Sequence, residues 1–374
     1  MRAVFEKKEL INAVSTVGKV IKRINIIPAL ECVLIDIKDN IVFTSTNSDS
    51  FFRYKANGKI IEEGSVLVEK DLFLNIIRSL PEDREVELFL NKKEGQTSFL
   101  NIISGNINQT IKIRKVEEFP KIPESKEENK ISIKDVVLKN IINKTIVSVY
   151  KKSDAKFAQG LFIEINKDNI IFKSIDELRF SLVKENLSKE YEKSQIIIDY
   201  EIMDNVSKIC SSNPDDVINI YMQENIVIFE IRNIQIITTK LSGNFLDEKP
   251  LMKAVNDYST KLKINRIDLI DALRRSENFV RVNDKKPVIF EIKNEVLNMS
   301  IETEDGDFKE PLQVQKTGND LIVGFDAKLL EEILDIIDEE EVEIYFSHSS
   351  APCFIKDKKE KYLYMISTFN AIKR

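Results

Sequence analysis

Three short stretches of the chain alternate apolar and polar residues in the same way. VLIDIKDNIVFTS (residues 33–45), LFIEINKDNIIFKS (161–174) and VIFEIKNEVLNMS (288–300) each read as an apolar–acidic strand, a polar turn and a second strand. Each is a predicted β-hairpin, its turn made by Asp, Asn, Lys or Glu in a chain with only 10 Gly. The hairpins recur about every 128 residues. Helical periodicity recurs at the same spacing in DLFLNIIRSL (71–80), EIMDNVSKIC (201–210) and KLLEEILDII (328–337). Each of these is followed by a strand pattern: VELFL from Val86, INIYM from Ile218 and VEIYF from Val342. A further helical pattern opens each unit: KELINAVSTVGKVIKR from Lys8, KDVVLKNIINKTIVSVYKK from Lys134 and RIDLIDALRRSENFVR from Arg266. Landmarks that keep their order and distance three times over are not a chance pattern.

The order within each unit is strand, helix, strands, helix, strands. Alternating strands predict antiparallel sheets with one wet face and helices on the other, so the fold class is α+β. FPKIPESKEENK (119–130) and LSGNFLDEKPLMKAVNDYS (241–259) combine Pro, Gly and charge and read as linkers. The expected domains are 1–123, 130–247 and 252–374.

Composition narrows the chemistry. A chain of 374 residues is too long for one core. Three Cys, at 32, 210 and 353, make no disulfide framework and fit a reducing cytosol. A single His excludes HExxH zinc sites, and neither CxxC nor GxxxxGK[ST] occurs. Charges interrupt the N-terminal stretch MRAVFEKKELINAV, and no apolar run approaches ~18 residues, so an intracellular, soluble chain is expected. His348, in FSHSSAPCF, reads either as a nucleophile partner of Ser347 or Cys353 or, more simply, as a loop histidine. Asp36, Glu164 and Glu291 recur at equivalent hairpin sites, where a solvated face explains them.

The triplicated helix–hairpin–strand pattern carries the strings IIPALECVLIDI, RSLPED, EEFPKIP, KFAQGLFIEI, SIDELRFSLV, TTKLSGNF, VGFDAKLLEEIL and a late YLYMI. Together, over residues 1–369, they resemble the bacterial DNA polymerase III β subunit family, the sliding clamps. The resemblance implies three repeated clamp domains and a head-to-tail homodimer closed into a six-domain ring, helices lining the hole and antiparallel sheets outside. Twelve helices, each ~10 Å across, would leave a hole of roughly 28 Å, enough for B-form duplex and a layer of water. It also implies a cytoplasmic protein without catalysis, cofactor or metal. Its partners would be encircled double-stranded DNA, the replicative polymerase α subunit, the clamp loader and other proteins bearing a clamp-binding motif. A divergent clamp-like scaffold for protein assembly is the alternative.

Site residues follow by position. Basic residues expected on the first helices, facing DNA, are Lys19, Lys22 and Arg23; Lys139, Lys144, Lys151 and Lys152; and Arg274, Arg275 and Arg281. The second helices add Arg78 and Lys208. The helical pattern of 326–341 opposes them with eight acidic residues, so the basic lining should be weakest in the third domain. A partner-peptide pocket maps to Lys156, Ile175, Glu177, Leu178, Arg179, Phe180, Leu246, Leu251, Ser350, Pro352, Leu363, Met365, Ile366 and Ser367. The expected pocket is an apolar groove with Lys156 and Arg179 at its rim, suited to Leu or Phe anchors beside a Gln or an acidic group. Ile175, Phe180, Leu363 and Met365 read equally well as core. Glu177 stands where the family has Gly and would be strained there at positive φ. Residues 370–374 extend past the family's usual end. The dimer interface maps to Ile111 and Ile113 of one subunit against Phe279 and Val280 of the other.

Overall fold

The structure is a computed structural model that describes residues 1–22, 26–91, 99–123, 130–280 and 286–369. Among these, the helices are α1 (Lys7–Val17), α2 (Lys70–Ser79), α3 (Asp135–Thr145), α4 (Tyr200–Ile209), α5 (Lys249–Ala254), α6 (Arg266–Glu277) and α7 (Ala327–Asp335). Strand, helix, hairpin, strand, helix and closing strands follow one another three times. The chain is built of three repeats of one strand–helix–hairpin unit, and the three expected hairpins form with equivalent registers. Ile35 faces Phe43, Ile163 faces Phe172 and Phe290 faces Met299.

Helix starts are set by side chains that satisfy the first free amides. The Glu69 carboxylate accepts from the amides of Asp71 and Leu72 at α2, and Asn265 Oδ1 accepts from Ile267 and Asp268 at α6. The ends differ from expectation. After α1, Gly18–Val20 forms a 3₁₀ turn; after α3, Thr145 Oγ1 donates back to the Ile141 carbonyl and the β-branched Ile146 and Val147 enter another. Lys19, Lys22, Lys151 and Lys152 therefore follow the helices and are not on them. The acidic helical pattern also stops early, because α7 ends at Asp335 and Glu341 opens a strand.

The chain forms two compact units. The first, Met1–Val136 with Lys208–Lys240, holds two antiparallel sheets. One has five strands in the order Lys59–Glu62, Arg2–Glu6, Glu85–Asn91, Phe99–Ser104, Ile107–Lys112. The other has eight. Lys130–Lys134, Val217–Met222, Ile226–Ile231 and Ile234–Thr239 are followed by Ser50–Ala56, Ile41–Thr46, Cys32–Ile37 and Gly64–Glu69. Phe5, Phe43, Phe52 and Phe73 fill this unit's core, with α1 against α2 and the strand Ser50–Ala56.

The second unit, Val137–Ser207 with Leu241–Arg374, holds a nine-stranded and a four-stranded sheet. The nine-stranded order begins Ser194–Asp199, Gly160–Ile165, Asn169–Ile175, Arg179–Asn186. It continues Tyr362–Ile366, Cys353–Lys356, Glu341–Phe346, Thr260–Asn265, Gln315–Gly318. The four-stranded order is Gly306–Gln313, Val296–Thr303, Val288–Lys293, Leu321–Phe325. Phe172, Phe290, Phe325, Phe346 and Tyr364 are buried here, and α6 packs on α7.

Candidate functional site

Two of the sheets are joined across successive repeats by the same pair of strands. The last strand of the second repeat, Ile234–Thr239, pairs with Ser50–Ala56 of the first, Thr238 opposite Ser50. The last strand of the third, Tyr362–Ile366, pairs with Arg179–Asn186 of the second, Ile366 opposite Arg179. The corresponding strand of the first repeat, Ile107–Lys112, and the corresponding hairpin strand of the third, Gly306–Gln313, each end their own sheet. Their outer backbone groups have no strand partner within their sheets, an arrangement that invites pairing with a further strand. Ile111 is buried on the first of these strands, and Ile113, just beyond it, is half-buried. Phe279 and Val280 are half-buried beside the second, the Phe279 ring 6.1 Å from that of Phe308.

The candidate peptide surface lies in the second unit. Strand alternation divides its residues between two faces of the nine-stranded sheet. Ile175, Phe180, Leu363 and Met365 share one face and form a cluster with Val255, Tyr345 and Phe354, flanked by Leu182, Phe245 and Leu251. Phe180 is fully buried, whereas Ile175, Leu178, Leu246, Leu251, Pro352 and Ser367 are half-buried and Ser350 is exposed. Arg179 and Ile366 point to the opposite, helix-covered face. Arg179 is 6% exposed and its guanidinium is held by Asp176 Oδ2 at 2.8 Å and by Glu332 Oε2 of α7 at 2.6 Å. It is an internal ion-pair group and does not stand at a rim. Lys156 does stand exposed, in the 3₁₀ turn Lys156–Gln159.

The turn between the two strands is an Asx turn, Asp176 Oδ1 accepting from the amides of Leu178 and Arg179. This keeps Glu177 out of the positive-φ region, and its carboxylate instead accepts from Tyr150 Oη at 2.9 Å. The strain expected at Glu177 is absent. Sequence reasoning missed Lys173, a buried lysine on the same face as the cluster. Its signal was available, since the two other repeats carry Thr44 and Ser300 at that hairpin position.

The basic residues fall into two groups. Lys19, Lys22, Arg78, Lys151, Lys152 and Lys208 are exposed, Lys151 with its Nζ 4.9 Å from the Tyr200 ring, and Lys139 is half-buried. Others are held by carboxylates: Lys144 by Asp338, Arg274 by Glu331 and Asp335, and Arg275 by Glu310. Arg23 and Arg281 lie outside the described residues, as do 370–374. Near α6 and α7, burial raises the carboxyl of Glu277 to about 7, helped by hydrogen bonding and charge from Glu331. Its Oε1 is buried without a hydrogen-bond partner.

Among the described residues, no group of three or more His, Cys, Asp or Glu side chains could hold a metal, and no helix is long and apolar enough to cross a membrane. The three cysteines are buried and not in disulfides, and burial pushes the Cys32 thiol up to about 11. His348 is an exposed loop residue whose Nδ1 accepts from the Ser350 amide at 3.3 Å.

Comparison with known proteins covers the whole chain. Residues 1–123, 132–247 and 256–367 match the N-terminal, central and C-terminal domain models of the DNA polymerase III beta subunit. The beta sliding clamp of Staphylococcus epidermidis is 28% identical over 371 residues, covering 96% of each chain. A crystal structure of a putative DNA polymerase III beta subunit from Eubacterium rectale superimposes with a TM-score of 0.94 at 27% identity, over 99% of both chains. The DNA polymerase sliding clamp of Bacillus subtilis shares the fold, with a TM-score of 0.93 at 22% identity over 99% of each chain.

Proposed function

The chain belongs to the DNA polymerase III beta subunit family, and from that premise we propose that it is a DNA sliding clamp whose two copies close head to tail around duplex DNA. In this reading it works in replication in the cytoplasm, performs no catalysis, and tethers the replicative polymerase and other DNA enzymes. The clamp loader and further proteins with clamp-binding motifs would use the same pocket, which comprises Ile175, Leu178, Leu246, Leu251 and their neighbours, with Lys156 at its edge. Divisions at 1–123, 130–247 and 252–374 give one clamp domain each. The family and its curated relatives do not favour the scaffold alternative.

One observation carries the dimer: the strand junction that forms twice within the chain leaves one matching pair of strands over. Equivalent positions give its register. Val227 faces Thr238 and Cys353 faces Ile366, as Leu100 faces Ile111, which aligns Ile111 with Thr238 and Ile366. The hairpins place Gly306 where Ser50 and Arg179 stand. Ile111 of one copy then faces Gly306 of the other, Gln109 faces Phe308, and Ile107 faces Glu310. The burial phases agree with this alignment. Ile107, Gln109 and Ile111 are at least half-buried, as are Gly306, Phe308 and Glu310, whereas Asn108, Thr110, Asp307 and Lys309 are exposed.

Enclosure makes retention topological, with few, sequence-independent phosphate contacts. After loading onto a nicked circular plasmid, the protein should stay bound through gel filtration and be lost once the circle is linearised. Equal retention on both forms would remove the ring reading.

A further inference from the structure

The face that carries the candidate pocket contains a buried charge. Lys173 is 3% exposed, on the strand Asn169–Ile175, with Phe162 and Leu182 as its cross-strand neighbours. Its Nζ lies 5.2 Å from the centre of the Phe162 ring and donates to Glu164 Oε2 at 2.7 Å. It also donates to Glu248 Oε1, and this second partner belongs to the segment between the second and third repeats. Glu248 immediately precedes α5, and three residues before it Phe245 stacks on Phe162, with ring centroids 4.9 Å apart. Leu246 and Leu251, which flank Glu248, are the half-buried pocket residues of that segment.

An ammonium taken out of water needs compensating charge and hydrogen bonds, and here the crossing segment supplies one of the two carboxylates. Burial alone would raise Glu164, but the hydrogen bond and charge of Lys173 outweigh it and hold that carboxyl below its ordinary value. Lys173 is thus neutralised within the sheet by Glu164 and tied to the segment by Glu248. The corresponding Thr44 and Ser300 cannot do this, so the contact belongs to the second repeat alone.

We propose that Lys173 is a positioning residue for partner binding: its bond to Glu248 fixes the segment around α5 so that Leu246 and Leu251 stand ready for a partner peptide's apolar anchors. The proposal rests on the pocket reading above. Preorganising a wall of the pocket lowers the ordering cost of binding, so freeing the segment should weaken affinity without removing a peptide contact.

The test uses the full-length protein and a fluorescent synthetic peptide carrying one Gln with Leu and Phe anchors. E248Q leaves the Lys173–Glu164 pair intact and should bind the peptide about tenfold more weakly. Its amides between 245 and 255 should exchange hydrogen faster. E164Q, which leaves the contact to the segment in place, should stay within roughly twofold of the parent. K173M combined with E248Q should bind no worse than K173M alone, since both break the same contact. If K173M does not fold, E248Q and E164Q still decide. Parental affinity and exchange in E248Q would overturn the positioning role and leave the pocket standing. A parent protein that binds no such peptide would remove the pocket reading and this proposal with it.

Discussion

A single side chain can be read as a binding group or as a structural one, and its surroundings decide. Arg179 is buried between Asp176 and Glu332, so R179M should act first on stability. Leaving the half-buried Asp176 carboxylate without its partner should cost about 3 kcal/mol, read as a lower denaturant midpoint in urea unfolding. Glu277 tests the opposite sign. Its carboxyl is raised to about 7 from an ordinary 4.5. Between those values the folded state holds a proton that the unfolded state has released, so stability falls as pH rises through this window. The penalty is fully present above about 7 and absent below about 4.5. Gln cannot ionise, so E277Q should melt higher than the parent at pH 8, by roughly 2–4 °C, and alike at pH 4. Calorimetry at the two pH values checks this, and Asp326, Lys328 and Glu331 are the charged groups facing the site.

At the scale of strands and helices, the proposed dimer junction makes a sharp geometric claim. Asn108 and Lys309 are exposed residues placed opposite one another across two copies, whereas Asn108 and Asp307 are offset by two positions. Mild oxidation of N108C/K309C should give a covalently closed dimer on a non-reducing gel, and N108C/D307C far less, because a disulfide tolerates Cα separations only up to about 6.8 Å. The native cysteines are buried and leave the readout clean. Much of this was legible in the sequence. Period-two alternation placed all three hairpins, and the 3.6-residue period placed the second helices to within a residue or two. Helix ends were less legible, since nothing in the periodicity of Ile146, Val147 and Val149 says that the turn tightens to 3₁₀. The two faces of one strand were legible but overlooked: alternation alone separates Ile366 from Leu363 and Met365. The Lys173–Glu248 contact was not legible, because it joins residues 75 positions apart and depends on how a linker folds back over a sheet.

In the proposed ring, the question is which cations would act on DNA. The chain carries a net charge of −6, so an attractive lining must be local. In the third repeat Arg274 and Arg275 are neutralised where they stand, Arg274 by Glu331 and Asp335 and Arg275 by Glu310. In the second repeat Lys151 and Lys152 are exposed on the loop after α3, Lys151 over the Tyr200 ring, and an ammonium on a long flexible stem can meet a phosphate backbone without fixed geometry. Each phosphate neutralised releases condensed counterions and steepens the dependence of affinity on salt. Binding to a short fluorescent duplex, measured by anisotropy from low to moderate salt, therefore separates the two groups. K151A/K152A should weaken binding and flatten the log–log slope by about 1 to 2. D335N should do the reverse: with one of its carboxylates gone, Arg274 becomes available to phosphate, binding strengthens and the slope steepens. If both variants left the slope at the parental value, neither the loop lysines nor the α7 carboxylates would govern contact with DNA, and the lining would have to be assigned to other residues.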